Sequence, residues 1–229
     1  MNQRTNNIEI YSIVKEVYQL NKTIIDFYMI TNVLKHKIRT GWEELGISSE
    51  RLESVAEHIY GCLMLAIAID SEYKLDLDMY KVLKMLSLHE LEETIIKDYT
   101  IRDNLSIEEK LKQGRESVIK ATENMLKQSE IIDLLDEFNN HLTKESIFCY
   151  YIDKIEWDFQ AKIYDLNGEF SLDKALEDLK FMGEDGILIK EKVKTASDVG
   201  IEYDKKIYKG NQLFESLVND IQNIKKDTK

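Results

Sequence analysis

Four side chains in this 229-residue chain are of the types that could share a metal ion. They are His58 in "ESVAEHIYGCLMLA", the adjacent pair His89 and Glu90 in "LSLHELEE", and Asp153 in "CYYIDKIEWDFQA". Each stands where helical spacing should bury apolar groups. One turn beyond His58 come Gly61 and Cys62, then Leu65 and Ile69, so the imidazole shares a face with core residues. His89 and Glu90 continue the stripe of Val82, Leu83 and Leu86, where an ionised carboxylate is costly unless paired or bound to metal. Asp153 has Cys149, Tyr150, Glu156 and Trp157 three and four residues away. Taken singly, His58 reads as a hydrogen-bonded core histidine and Asp153 reads equally well as part of a solvated face. Taken together, one shared site accounts for all of them. Two imidazoles and two carboxylates suit one divalent cation, Mn, Co, Fe, Ni, Zn or Mg, and leave positions open for water and a phosphate oxygen.

Two further groups fit beside such an ion. Glu93 follows Glu90 by three residues on the same helical face, within reach of a water or a leaving oxygen, whereas Glu92 points about 100° away and reads as solvated. Arg39 and Trp42, in "RTGW", make a sensible nucleotide handle: a fork-shaped guanidinium for phosphate and a flat indole for a sugar or base. The plainer alternative is that Trp42 caps the core and Arg39 pairs with a surface acid. His36 and His141 lie in polar contexts and read as surface residues, and Cys62 and Cys149 read as small apolar fillers.

The elements that must position these groups are helices. The chain has no proline and only nine glycines, so few residues punctuate strands and turns, and the expected fold is all-α. Apolar spacing predicts helices over about 8–20 and 23–36, a break at "RTGWEELGISSE", and helices over 52–73 and 78–97. "TIRDNLS" reads as a loop ending in Ser106, an N-cap with Glu109 as its capping-box partner, for a helix to about Lys127. "SEIIDLLDEFNNHL" and "KESIFCYYIDKIEWDFQAKIYDL" supply two more, the second with an inward stripe of Phe148, Ile152, Ile155, Phe159 and Ile163. Shorter helices follow "NGEF". The expected organisation is a helical core over 1–165 and a helical C-terminal extension over 166–229 packed on the same domain.

Composition narrows the function. A formal charge of −12 repels a phosphate backbone, and the one dense basic run is the terminal "IKKDTK", so long nucleic acid is not an expected partner. "IYGCLMLAIAI" is too short for the ~20 residues of a membrane span. Two distant cysteines without a CxxC fit a reducing compartment, and the expected location is the cytoplasm. Glycine-rich phosphate loops, nucleophile elbows and CxxC zinc patterns are missing.

The run "RTGW … ESVAEH … HELEE … KD … DKIE" resembles the HD-domain metal-dependent phosphohydrolases, in particular the branch of bacterial 5'-deoxynucleotidases and their eukaryotic relatives, over about residues 28–165. The resemblance implies a helical HD-domain bundle whose metal is held by His58, His89, Glu90 and Asp153. Glu90 departs from the pattern, since relatives carry aspartate there. The resemblance assigns Glu93 a catalytic role and places Asp98 in the site, although "DYTIRD" lacks the prolines that follow in relatives. It implies attack of water on a small phosphorylated substrate, a nucleoside or deoxynucleoside 5'-monophosphate, with Arg39 and Trp42 as substrate contacts, and a homodimer. Alternatives are a catalytically weak relative that senses nucleotide or metal, a helical interaction protein with scattered surface charges, and an oxygen-using di-iron relative, for which four histidines are too few.

Overall fold

The computed structural model describes residues 2–226, with side chains from residue 17 onward. All of its regular elements are helical, and among the described residues the β pairing is a single antiparallel bridge between Ile38 and Ser54. The N-terminal region is one helix, α1 (Asn2–Thr31), rather than two. No glycine or proline interrupts "QLNKTI", so the ladder continues through it.

The expected break then places the site. Residues 37–39 run extended against 53–55, with Arg39 N–H donating to Glu53 C=O at 3.0 Å and Val55 N–H to Lys37 C=O at 2.8 Å. Between them lies α2 (Thr40–Glu44). Ser54 caps α3 (Val55–Glu72) in a full capping box with Glu57, and α3 buries Val55, His58, Cys62, Ala66 and Ile69 on one stripe. Asp78 caps α4 (Met79–Leu86), which stops well short of the expected end at Lys97. From Leu91 to Thr94 the chain forms a 3₁₀ turn, and Lys37 Nζ donates to the carbonyl of Glu93 at 2.7 Å and to that of Ile96. Those carbonyls are satisfied from outside the segment, so no α-helical ladder is needed there.

Ser106 caps α5 (Ile107–Ala121) with Glu109 as its capping-box partner. The helix ends before Lys127 because Asn124 turns the chain left-handed, at φ 68°, ahead of α6 (Gln128–Asn139). The long α7 (Lys144–Asn167) ends at Gly168, φ 76°. Four short helices follow: α8 (Leu172–Glu177), α9 (Glu184–Lys190), α10 (Asp198–Asp204) and α11 (Gln212–Asn223).

Helix α7 packs against α3, α4, α6, α10 and α11. One apolar cluster joins Cys62, Met85, Leu86, Ile152 and Ile155 to Tyr208, Phe214 and Ile221 from the C-terminal segment. A second gathers Trp42, Tyr164, Phe170 and Val199. Of the α7 stripe, Phe148, Ile152 and Ile155 are buried and Phe159 half-buried, but Ile163 is 47% exposed. Over 24 residues the 3.6 period carries the buried face round to Ala161 and Tyr164 instead. The basic terminus is exposed at Lys225 and Lys226, and its last three residues lie outside the described ones.

Candidate metal centre and catalytic cavity

The structure brings His58, His89, Glu90 and Asp153 together from α3, the turn after α4, and α7. One ligand atom from each lies within 4.8 Å of all the others. His58 Nε2 is 3.1 Å from Asp153 Oδ1, 3.3 Å from His89 Nε2 and 3.5 Å from Glu90 Oε1. His89 Nε2 is 3.7 Å from Glu90 Oε1 and 3.8 Å from Asp153 Oδ1.

Each imidazole is oriented by its other nitrogen. His89 Nδ1 donates to the carbonyl of Leu86, at the end of α4 where helical carbonyls lack partners, at 2.7 Å. His58 Nδ1 meets Glu156 Oε2 at 2.5 Å. That contact depends on Gly61, where a Cβ would lie 2.2 Å from Glu156 Oε1. Both Nε2 atoms are thereby turned toward two carboxylates, the arrangement in which outer partners fix ligand orientation. The centre calls for positive charge. Burial and Arg39 would depress His58, but Cys62, Glu156 and Asp153 hold it well above the usual imidazole range. Burial likewise opposes charge on His89, which Cys62, Glu90 and Asp153 raise to about 9.

The carboxylates carry cations on their outer side. Arg39 donates to Glu90 Oε1 at 2.7 Å, and Lys154 Nζ lies 2.9 Å from Asp153 Oδ2. Burial would raise both acids, yet His89, Arg39 and His58 pull Glu90 down to about 2, and Lys154 with the two histidines holds Asp153 well below the carboxylate range. Arg39 is itself kept charged against burial by Glu90, Asp98, Glu93 and Asp153. The extra methylene of Glu90 lets one oxygen face both histidines and the guanidinium. The donor set fits a divalent cation: two oriented imidazoles and two ionised carboxylates converge in a buried pocket.

Beside these groups is a cavity of about 290 Å³ lined by Arg39, Glu93, Asp98, Lys110, Tyr150 and Lys154, among others. Glu93 is buried, and its Oε2 has no hydrogen-bond partner among the described residues, the nearest cation being Lys37 at 3.8 Å. Burial, Glu90 and Asp98 push its carboxyl up to about 10. Asp98 Oδ2 accepts from the Thr40 backbone at 2.8 Å. Glu92, expected to be solvated, is half-buried in the cavity wall, because a 3₁₀ turn follows α4 where the helix was expected to continue.

Trp42 is not in the wall of this cavity. It is fully buried, donates from Nε1 to Glu53 Oε2 at 2.8 Å, and stacks on Trp157 at 5.0 Å. His141 is exposed, as its context implies, yet it also borders the cavity, its ring tilted against Tyr150 with centroids 4.2 Å apart, in a left-handed conformation. Cys62 and Cys149 are both buried; Cys62 Sγ is 3.6 Å from His58 Nε2, close enough to count among the possible ligands. Sequence reasoning missed Lys37, Lys154 and Glu156. Gly61, an unexpected glycine inside a helix, was the one signal for the last.

Residues 31–187 match the HD domain family. The chain is 30% identical over 148 residues to the 5'-deoxynucleotidase HDDC2 of Dictyostelium discoideum, covering 62% of this chain and 77% of that protein. It is 29% identical over 168 residues to the 5'-deoxynucleotidase hdd1 of Schizosaccharomyces pombe, covering 71% and 81%. Among solved structures, the PH0347 protein of Pyrococcus horikoshii is similar with a TM-score of 0.54 at 25% identity, over 78% of this chain and 99% of that one.

Proposed function

As the chain belongs to the HD domain family, we propose that it is a metal-dependent phosphohydrolase that removes phosphate from small nucleotides, nucleoside or deoxynucleoside 5'-monophosphates. The observation that carries this reading is the convergence of His58, His89, Glu90 and Asp153, with both imidazoles oriented from behind. Relatives that are 5'-deoxynucleotidases support the substrate class. When bound by these four residues, a divalent cation supplies the charge that acidifies a water and screens the phosphate.

The chain's own groups supply the rest. Arg39 spends one donor on Glu90 and keeps others for a phosphate oxygen. Water oxygen joins phosphorus as the ester P–O bond breaks, one water proton staying on the phosphate formed and the other restoring Glu93 after turnover. Glu93, held protonated by burial and by Glu90 and Asp98, delivers its proton from Oε2 to the leaving oxygen. Asp98, fixed by Thr40, sits beside that oxygen and places the sugar. Unpaired buried cysteines support a cytoplasmic enzyme, and exposed Ile24, Ile25, Tyr28 and Met29 on α1 support a homodimer.

The test is phosphate release from a panel of nucleoside and deoxynucleoside 5'-monophosphates with Mn²⁺, Co²⁺ or Mg²⁺, alongside metal content. Wild type should hold metal and release phosphate. Asp153→Ala should lose both, and Glu93→Gln should keep metal while turnover falls roughly 10²- to 10⁴-fold. Full activity in Asp153→Ala would overturn the proposal.

A further inference from the structure

Next to the metal cavity lies a larger chamber of about 710 Å³. The two share Arg39, Asp98, Tyr99, Lys110, Tyr150 and Lys154, so they meet at the proposed phosphate grip. Ligand sites usually span about 300–1,000 Å³, and the metal cavity alone, at about 290 Å³, falls just short of that range. The ester substituent of a phosphate held by Arg39 belongs in the chamber. Its far wall comes from the C-terminal segment: Phe170, Met182 and Tyr203 face it together with Trp157 of α7. The Trp157 ring lies directly on Gly200 of α10, where a Cβ would come within 2.0 Å, so the two helices hold this aromatic wall as one piece.

Nearly every charged group lining the chamber is already committed. Of its four acids, Glu44 accepts from Thr100 at 2.6 Å, Asp98 from the Thr40 backbone, and Asp178 from Arg102 at 3.0 Å. Of its cations, Arg39 gives one donor to Glu90 and keeps the others for the phosphate, while Lys154 pairs with Asp153, Lys206 with Asp185, and Lys110 with the Tyr99 carbonyl at 3.2 Å. Asp204 is the exception: half-buried at the end of α10, its carboxylate makes no hydrogen bond or ion pair among the described residues, although the charges of Lys154 and Lys206 act on it. A carboxylate facing a cavity without a donor is a hook for a ligand that brings donors.

We propose that this chamber holds the leaving nucleoside, packed against the Trp157 and Tyr203 wall, and that Asp204 accepts the two adjacent N–H donors of guanine, making guanine nucleotides the preferred substrates. The proposal rests on the phosphohydrolase reading above for the placement of the phosphate. Guanine alone among the common bases presents neighbouring donors, N1–H and the 2-amino group, to the two oxygens of a carboxylate. Adenine and cytosine set a donor beside an acceptor, and uracil and thymine flank one donor with two acceptors, which sets a base acceptor against a carboxylate oxygen. Asp204 thereby becomes a specificity-determining residue contributed by a segment outside the motif-bearing core.

Two measurements on the full chain test this separately from the phosphatase assay and with it. Unphosphorylated guanosine, inosine and uridine are titrated against tryptophan fluorescence, which Trp157 reports. Guanosine should bind roughly tenfold or more tighter than inosine, which lacks the 2-amino group, and than uridine. In phosphate release, KM for GMP should lie below that for IMP by a similar factor, and Asp204→Asn should abolish both differences. Equal binding of the three nucleosides by wild type, or an unchanged GMP-to-IMP ratio in Asp204→Asn, would overturn the proposal. Preferential guanosine binding without phosphate release from any nucleotide would leave the chamber intact and refute the catalytic reading alone.

Discussion

Gly61 on α3 and Glu156 on α7 are in direct contact, and the missing side chain of the first is what lets the carboxylate of the second reach His58 Nδ1 at 2.5 Å. A methyl group at position 61 would lie 2.2 Å from Oε1. Gly61→Ala should therefore displace Glu156 and release the imidazole it orients. Outer partners of ligating histidines are worth roughly 10- to 100-fold in metal affinity, and titration with Mn²⁺ should show a loss of that size while circular dichroism keeps its helical signal. Unchanged affinity would remove Glu156 from the set of groups that orient the site.

Glu90 reaches Arg39 and both histidines with one oxygen. Aspartate at this position withdraws the carboxylate by one C–C bond, about 1.5 Å. Glu90→Asp should lower phosphate release more than tenfold by pulling the ligand off the centre and off the guanidinium. A gain in activity would instead identify a weakened descendant whose pocket serves to sense nucleotide or metal.

Trp42 and Glu53 form a buried hydrogen bond at 2.8 Å, and burial together with Glu156 raises the Glu53 carboxyl to about 7. Trp42→Phe leaves that acid without its donor, at a cost of about 1–3 kcal/mol. The expected readout is a lower Tm with KM for nucleotide little changed. The opposite pattern, intact stability with a raised KM, would restore Trp42 to the substrate wall.

Metal should stabilise the protein more as pH rises. Burial opposes charge on His89, but Cys62, Glu90 and Asp153 hold it at about 9, so in the metal-free protein its contribution is full below 6.5 and fades as pH climbs through about 9. Glu92, pushed up to about 7 by burial and Glu90, acts in the same direction from 4.5 upward. A cation displaces the histidine protons and binds more tightly where they are already leaving. The Tm increment from Mn²⁺ should be larger at about pH 8.5 than at about pH 6; an increment that is flat or reversed would take His89 out of the ligand set.

The four converging side chains were legible because each breaks a local rule. Histidine and carboxylate on an apolar stripe are conspicuous in a single sequence, and the all-α fold follows from a chain without proline. Residues 87–97 misled periodicity: the apolar spacing continues, but Lys37, more than fifty positions earlier, supplies the donors that replace a helical ladder. Lys154 and Glu156 look like ordinary helix-surface charges, and what sets them apart is the close approach of α3 and α7. Trp42 and Trp157 are both near the site, and spacing alone does not say which ring faces a cavity and which faces the core.

Lys37 has one more effect. Its ammonium clasps the carbonyls of Glu93 and Ile96 from the same extended strand that ends in Arg39. The group proposed to hold the phosphate and the group proposed to hand over the proton are thus mounted on a single bracket, two residues from its pin. The backbone that carries one is thereby tied to the backbone that carries the other before a nucleotide arrives.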